Sequence, residues 1–146
     1  MKTYSLYFAS PFFVPEQVER EERLKAHLRN MGFKVFSPKE NSHLKKDASI
    51  KEQEDTFQQN LEGIRNTDAV FAITNGLDAG TLWEAGFAYG IGKPVIYYAE
   101  NLKGQFNLML ARSGNLVYLN MNDISAEEII NVIENHISID YQGDIE

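Results

Sequence analysis

The chain reads as an α/β protein: one open sheet of five parallel strands, in the order 2-1-3-4-5, with helices on both faces. Three observations predict this. Short β-rich runs alternate with segments of helical periodicity five times, and such alternation builds a parallel sheet through crossover helices. The 146 residues suit one domain with one core. Apolar residues make up 43% of the chain, so that core can be filled without disulfides, and cysteine is absent. No internal repeat, linker or low-complexity tract divides the chain, and residues 1–146 are read as one domain.

The elements follow in order. Residues 4–9 form a β-rich run stopped by Ser10-Pro11. Pro15 and an acidic first turn (Glu16, Glu19) open a helix whose buried stripe is Leu24, Leu28 and Met31, and Gly32 ends it. Residues 33–36 are a second strand, stopped by Ser37-Pro38; residues 40–47 are polar and read as a loop. From about 48 to 66 a helix carries Phe57, Leu61 and Ile64 on one stripe. Residues 68–74 are a third strand, followed by the turn Asn75-Gly76. A helix from about 81 to 91 ends at Gly92 and Pro94, and residues 95–99 are the fourth strand. A short helix at 105–112 leads to a fifth strand at 116–119. The last helix, 126–136, turns Ile129, Ile130, Ile133 and Ile137 inward. In a doubly wound, flavodoxin- or Rossmann-like sheet of this order, ligands sit beyond the carboxyl ends of the strands. That end gathers residues 9–13, 75–84, 100–107 and the polar loop at 40–47.

Composition narrows the chemistry. Without cysteine there is no thiol nucleophile or thiolate metal site. His27, His43 and His136 are far apart and have no ligand spacing, so a metal enzyme is not expected. A formal net charge of −7 disfavours nucleic-acid polymers, which are bound by basic surfaces. A small neutral ligand meets no such objection. The apolar runs fall short of a membrane span, and no signal-peptide pattern opens the chain, so a soluble cytoplasmic protein is expected.

Glu84 is the most informative position. It is the one charged residue in Leu82-Trp83-Glu84-Ala85-Gly86-Phe87-Ala88-Tyr89. Thr81-x-x-Glu84 fits a helix capping box, in which Thr81 caps and Glu84 reaches back. The same helix start would hold Glu84 ionised, as attack on a sugar carbon requires. Asp78, in Asn75-Gly76-Leu77-Asp78-Ala79-Gly80, reads as a turn aspartate or as an acceptor for a ligand hydroxyl. Gly76 and Gly80 would let backbone approach a ligand. Tyr7 reads as a core tyrosine whose hydroxyl needs a partner, with Glu84 a candidate. Ser10-Pro11-Phe12-Phe13 is more apolar than a loop needs and either walls a flat ligand or packs under the first helix. Asn107, in Gln105-Phe106-Asn107-Leu108-Met109-Leu110, is a helix cap or a ligand amide. Gly86-x-x-x-Gly90 lies within a helix and suggests close helix packing.

Taken together, these stretches resemble the nucleoside 2-deoxyribosyltransferase family. The matching segments are Leu6-Tyr7-Phe8-Ala9-Ser10-Pro11-Phe12-Phe13, then 78–88, then Gly92-Lys93-Pro94-Val95, then Asn107-Leu108-Met109, in family order. The resemblance implies transfer of 2-deoxyribose between free nucleobases and 2′-deoxynucleosides, without a cofactor, in nucleotide salvage. It implies that Glu84 is the nucleophile, that Tyr7 orients it, and that Asp78 binds the sugar near its 5′-hydroxyl. Ser10 and Gly80 belong to the same matched segments, and Phe12 and Phe13 would lie near the base. Asn107 and Met109 would reach the site from a neighbouring subunit of a homo-oligomer. Two departures stand out. The family aspartate thought to assist the leaving base is here Asn60, which cannot protonate a base at neutral pH. Family chains often end in a tyrosine whose carboxylate joins the site; here Tyr141 is followed by residues 142–146, so that contact is expected to be absent or remodelled. Two alternatives share these residues: an N-glycosidase acting on deoxynucleosides or deoxynucleotides, with water as acceptor, and a non-catalytic nucleoside- or nucleotide-binding domain.

Overall fold

Strands β1 (Ser5–Ala9), β2 (Lys34–Phe36), β3 (Ala69–Ile73), β4 (Val95–Tyr98) and β5 (Leu116–Tyr118) make one parallel sheet in the order β2-β1-β3-β4-β5. This is the order expected from the sequence. The computed structural model describes residues 2–41 and 44–146. The helices are α1 (Pro15–Asn30), α2 (Pro38–Asn41), α3 (Ile50–Asn66), α4 (Ala79–Gly90), α5 (Leu108–Ser113) and α6 (Ala126–Asn135), with a 3-10 turn at Met121–Asp123. Among the described residues no helix is long and apolar enough to cross a membrane.

Alternate strand residues feed two cores. Leu6, Phe8, Phe71 and Ile73 pack against Leu24 and Leu28 of α1 and Ile129 and Val132 of α6. Tyr7, Ala9, Val70 and Ala72 face the other way, against Ile64 of α3, Ala85 and Ala88 of α4 and Ala111 of α5. Strands covered on both faces read as continuous apolar runs, and every residue of β3 is buried. The chain winds in opposite directions from β1 and β3, so a crevice opens between their carboxyl ends.

Several local expectations are corrected. Ile137 does not join the α6 stripe; it is 39% exposed, while Val132 is wholly buried. His136 closes that helix in the left-handed region at φ 53°, so helical spacing cannot be carried past it. Gly86 and Gly90 do not mark close packing: both are exposed, and an added Cβ at either would meet no atom within 4 Å. The helix read at 105–112 starts only at Leu108, because Asn107 caps it. Phe106 pairs instead with the C-terminal segment, donating to Asp144 O at 2.8 Å and accepting from Glu146 N at 3.0 Å. The tail therefore lies beside Asn107. Part of the loop read at 40–47 is helical at Pro38–Asn41; Ser42 and His43 lie outside the described residues.

Candidate active site

A cleft of about 970 Å³ opens at the carboxyl ends of β1 and β3. Ser10, Phe12 and Phe13 line it from the β1–α1 loop, Asn60 from α3, and Asp78, Gly80 and Glu84 from the start of α4. Seven residues singled out in the sequence thus converge. Tyr7 lies behind them in the core. Asn107 and Met109 do not line this cleft; Met109 stands 72% exposed on α5. A groove of similar volume, about 980 Å³, runs along α6, but Asp123, Glu127, Glu128 and Glu134 make it an open acidic surface without any of these residues.

The capping-box reading of Glu84 is overturned. Asp78 is the N-cap of α4, and its Oδ2 accepts from both the backbone N–H and the hydroxyl of Thr81 at 3.0 Å. With the helix starting at Ala79, Glu84 stands past its first turn, where the field of the helix end has faded. The carboxylate accepts instead from the Tyr7 hydroxyl, through Oε2. Its protonation differs from expectation for the same reason. Burial pushes the Glu84 carboxyl up, the Tyr7 hydrogen bond pulls it down, and the charge of Asp78 pushes it up again, leaving it at about 7. Tyr7 is fully buried, and burial with the adjacent Glu84 charge raises its own pKa, so it remains a donor.

Tyr7 is held in turn. It pairs with Phe36 across the β1–β2 register, and the two rings stack at 5.4 Å with 16° between their planes. The Phe36 ring reaches α3 at Gly63, where an added Cβ would lie 2.7 Å from the ring.

The loop carrying Phe12 and Phe13 is fixed at the start of α1. Gln17 Oε1 accepts from the Phe13 N–H at 2.9 Å and the Val14 N–H at 3.3 Å, and Pro15 sits in the first turn. The Ser10 hydroxyl donates to Pro11 O at 3.0 Å. At Gly80 an added Cβ would sit 3.5 Å from Asp78 Oδ2, an ordinary contact, so the fold itself does not require glycine there. Asn60 Oδ1 is buried and has no hydrogen-bond partner among the described residues, a costly state for an amide oxygen. Asn107 Oδ1 accepts from Met109 N at 2.9 Å and Leu110 N at 3.2 Å, which makes it the cap of α5.

Sequence reasoning missed part of the wall. Phe57, read as a buried stripe residue, is 43% exposed and lines the cleft, as does Trp83, 51% exposed, whose ring lies 5.6 Å from that of Phe57. The signal for Trp83 was its place beside Glu84 in an apolar stretch that the helix cannot bury on all sides. Lys39 and Leu44 complete that side. Glu40, in the loop read from the sequence, does not line the cleft. Hydrogen bonds from Arg29 and Lys25 hold its carboxyl at about 2.

A family model described as nucleoside 2-deoxyribosyltransferase matches residues 6–132. The solved structure of a 2-deoxyribosyltransferase from the psychrotolerant bacterium Bacillus psychrosaccharolyticus superposes with a TM-score of 0.78 at 30% identity, covering 94% of this chain and 98% of that one. A conserved protein from Enterococcus faecalis V583 follows at 0.64 and 20% identity, covering 93% and 100%. A CMP N-glycosidase from Clostridium botulinum gives 0.57 and 18%, covering 82% and 93%. The last two show the fold alone. No curated protein matches the chain.

Proposed function

Because this chain belongs to the nucleoside 2-deoxyribosyltransferase family, we propose that it moves 2-deoxyribose between nucleobases by double displacement with retention, through a glycosyl ester on Glu84. The observation that carries this reading is the Glu84 carboxylate, set in a largely apolar cleft with one oxygen held by a buried tyrosine.

Tyr7 occupies Oε2, so Oε1 attacks C1′ of the bound deoxynucleoside. The C1′–N bond breaks and its electron pair leaves with the base, through an oxocarbenium-like transition state. The absent 2′-hydroxyl would otherwise withdraw electrons and oppose that charge. Only ionised Glu84 can attack, and burial has already removed much of the water that a carboxylate would otherwise have to shed. Asp78 spends one oxygen on its cap; the other accepts from the sugar 5′-hydroxyl. Asn60 offers an amide N–H to the departing base. A second base then attacks C1′ from the face the first one left, freeing Glu84 and restoring the anomeric configuration. Phe12, Phe13, Phe57 and Trp83 make the base end of the cleft aromatic, which favours a flat base over water as acceptor. Ser10 and Gly80 shape the sugar end. Asn107 and Met109, which do not line their own cleft, serve that of a neighbouring copy in a homo-oligomer.

The test is turnover with a 2′-deoxynucleoside and a free base. Transfer is expected. Release of free deoxyribose with no new nucleoside would make the protein a hydrolase, and no product would make it a binding domain. Intact-mass spectrometry after acid quench should find one deoxyribosyl group on wild type and none on Glu84→Gln.

A further inference from the structure

We propose that Phe36 and Gly63 are positioning residues for the reaction: Gly63 makes room for the Phe36 ring, and that ring fixes the Tyr7 hydroxyl on Glu84. The inference rests on the reading of Glu84 as nucleophile. It goes beyond that reading, because neither residue lines the cleft and neither was singled out in the sequence.

Three contacts in series carry it. The Phe36 ring stacks on that of Tyr7 at 5.4 Å and 16°. The same ring lies where the Cβ of any other residue at 63 would intrude, 2.7 Å from Cε1. Beyond Tyr7 stands Glu84, engaged by the tyrosine hydroxyl alone among the described side chains. A tyrosine hydroxyl moves with its ring, because the ring swings as one lever about the Cα–Cβ bond. The β1 backbone fixes the base of that lever, and the ring packed against it fixes the tip. Within a sheet register, Phe36 is the side chain directly opposite Tyr7. Glycine at 63 therefore sets how closely α3 presses Phe36 against the tyrosine.

The experiment is a pH–rate profile of transfer in wild type, Phe36→Leu, Tyr7→Phe and the double variant, with thermal melting alongside. The groups bearing on Glu84 are Tyr7 from β1 and Asp78 from the start of α4; Lys39 also lines the cleft, and every residue that α3 brings to it is uncharged. Loss of the tyrosine donor should leave Glu84 harder to ionise. The ascending limb should move up by about 1 pH unit in Phe36→Leu, with the rate at pH 7 falling roughly fivefold and recovering near pH 9. KM should change little. In a Tyr7→Phe background the same substitution should move the limb no further, since both act on one contact. Gly63→Ala displaces the ring without deleting it and should give the same shift, which covers a leucine variant that melts too low. A folded variant with an unmoved limb, or a shift that adds to that of Tyr7→Phe, overturns the proposal. A Glu84→Gln protein that still transfers at the wild-type rate overturns the reading beneath it.

Discussion

Replacing Glu84 by glutamine should stabilise the fold at alkaline pH while abolishing transfer. The carboxyl is held at about 7, against an ordinary 4.5, chiefly because it is buried. The folded state therefore keeps a proton there that the unfolded chain gives up. Below pH 4.5 the group is neutral in both states and the substitution changes little. Between 4.5 and 7 the native state binds more protons than the unfolded one, so wild-type stability falls as pH rises. Above 7 the full penalty of a buried carboxylate is present, about 3 kcal/mol at about 1.4 kcal/mol per pH unit. Glutamine has no charge to bury, and its amide oxygen still accepts from Tyr7. In a chain of this size, 1 kcal/mol moves the melting point by about 2–4 °C. The variant should then melt roughly 6–12 °C above wild type at pH 8 and level with it at pH 4. Calorimetry or circular dichroism across that range is the assay. Equal melting at both ends, or a variant less stable at pH 8, would refute the assignment of a desolvated carboxylate.

Other outcomes follow from the same geometry. The wild-type transfer rate should rise with pH through about 7 as Glu84 ionises; a flat profile from pH 5 to 9 would contradict it. Asp78→Asn keeps a good helix cap but removes the charge that pushes the Glu84 carboxyl up, so the limb should move to lower pH while KM for the nucleoside rises. Asn60→Asp should speed transfer from poor leaving bases, and more so at low pH, where general acid help is typically worth about 10²–10⁴-fold; a profile unchanged at every pH would assign the proton to another group. Mixed Glu84→Gln and Asn107→Ala subunits, each inactive alone, should regain activity if sites are shared between copies; a monomer by light scattering under assay conditions would defeat that.

The order of elements was legible because its signals are local. β-rich runs, helical stripes and the Pro and Gly stops each span a few residues, and the handedness of crossovers turns their alternation into a sheet order. The convergence of Ser10, Phe12, Phe13, Asp78 and Glu84 followed, since all lie in the loops after β1 and β3 or early in the helix that such a loop opens. What Glu84 does electrostatically was not legible. A Thr-x-x-Glu pattern is the same string whether the helix starts at Thr81 or, as here, two residues before it. Ionisation depends on how much water the rest of the fold leaves around the carboxyl, which no local pattern records. Phe57 came off its stripe because the buried residues of α3, Leu61, Gly63 and Ile64, all lie nearer its C-terminus: the helical period continues back to Phe57 but the core does not. Tyr7, Phe36 and Gly63 are far apart in sequence and meet only through the β1–β2 register and the seat of α3. Sequence by itself determined the fold and the end of the sheet at which the cleft opens. Tertiary structure alone decided the proton on Glu84 and the packing that aims Tyr7 at it, because desolvation and contact are properties of neighbours that the chain brings together only by folding.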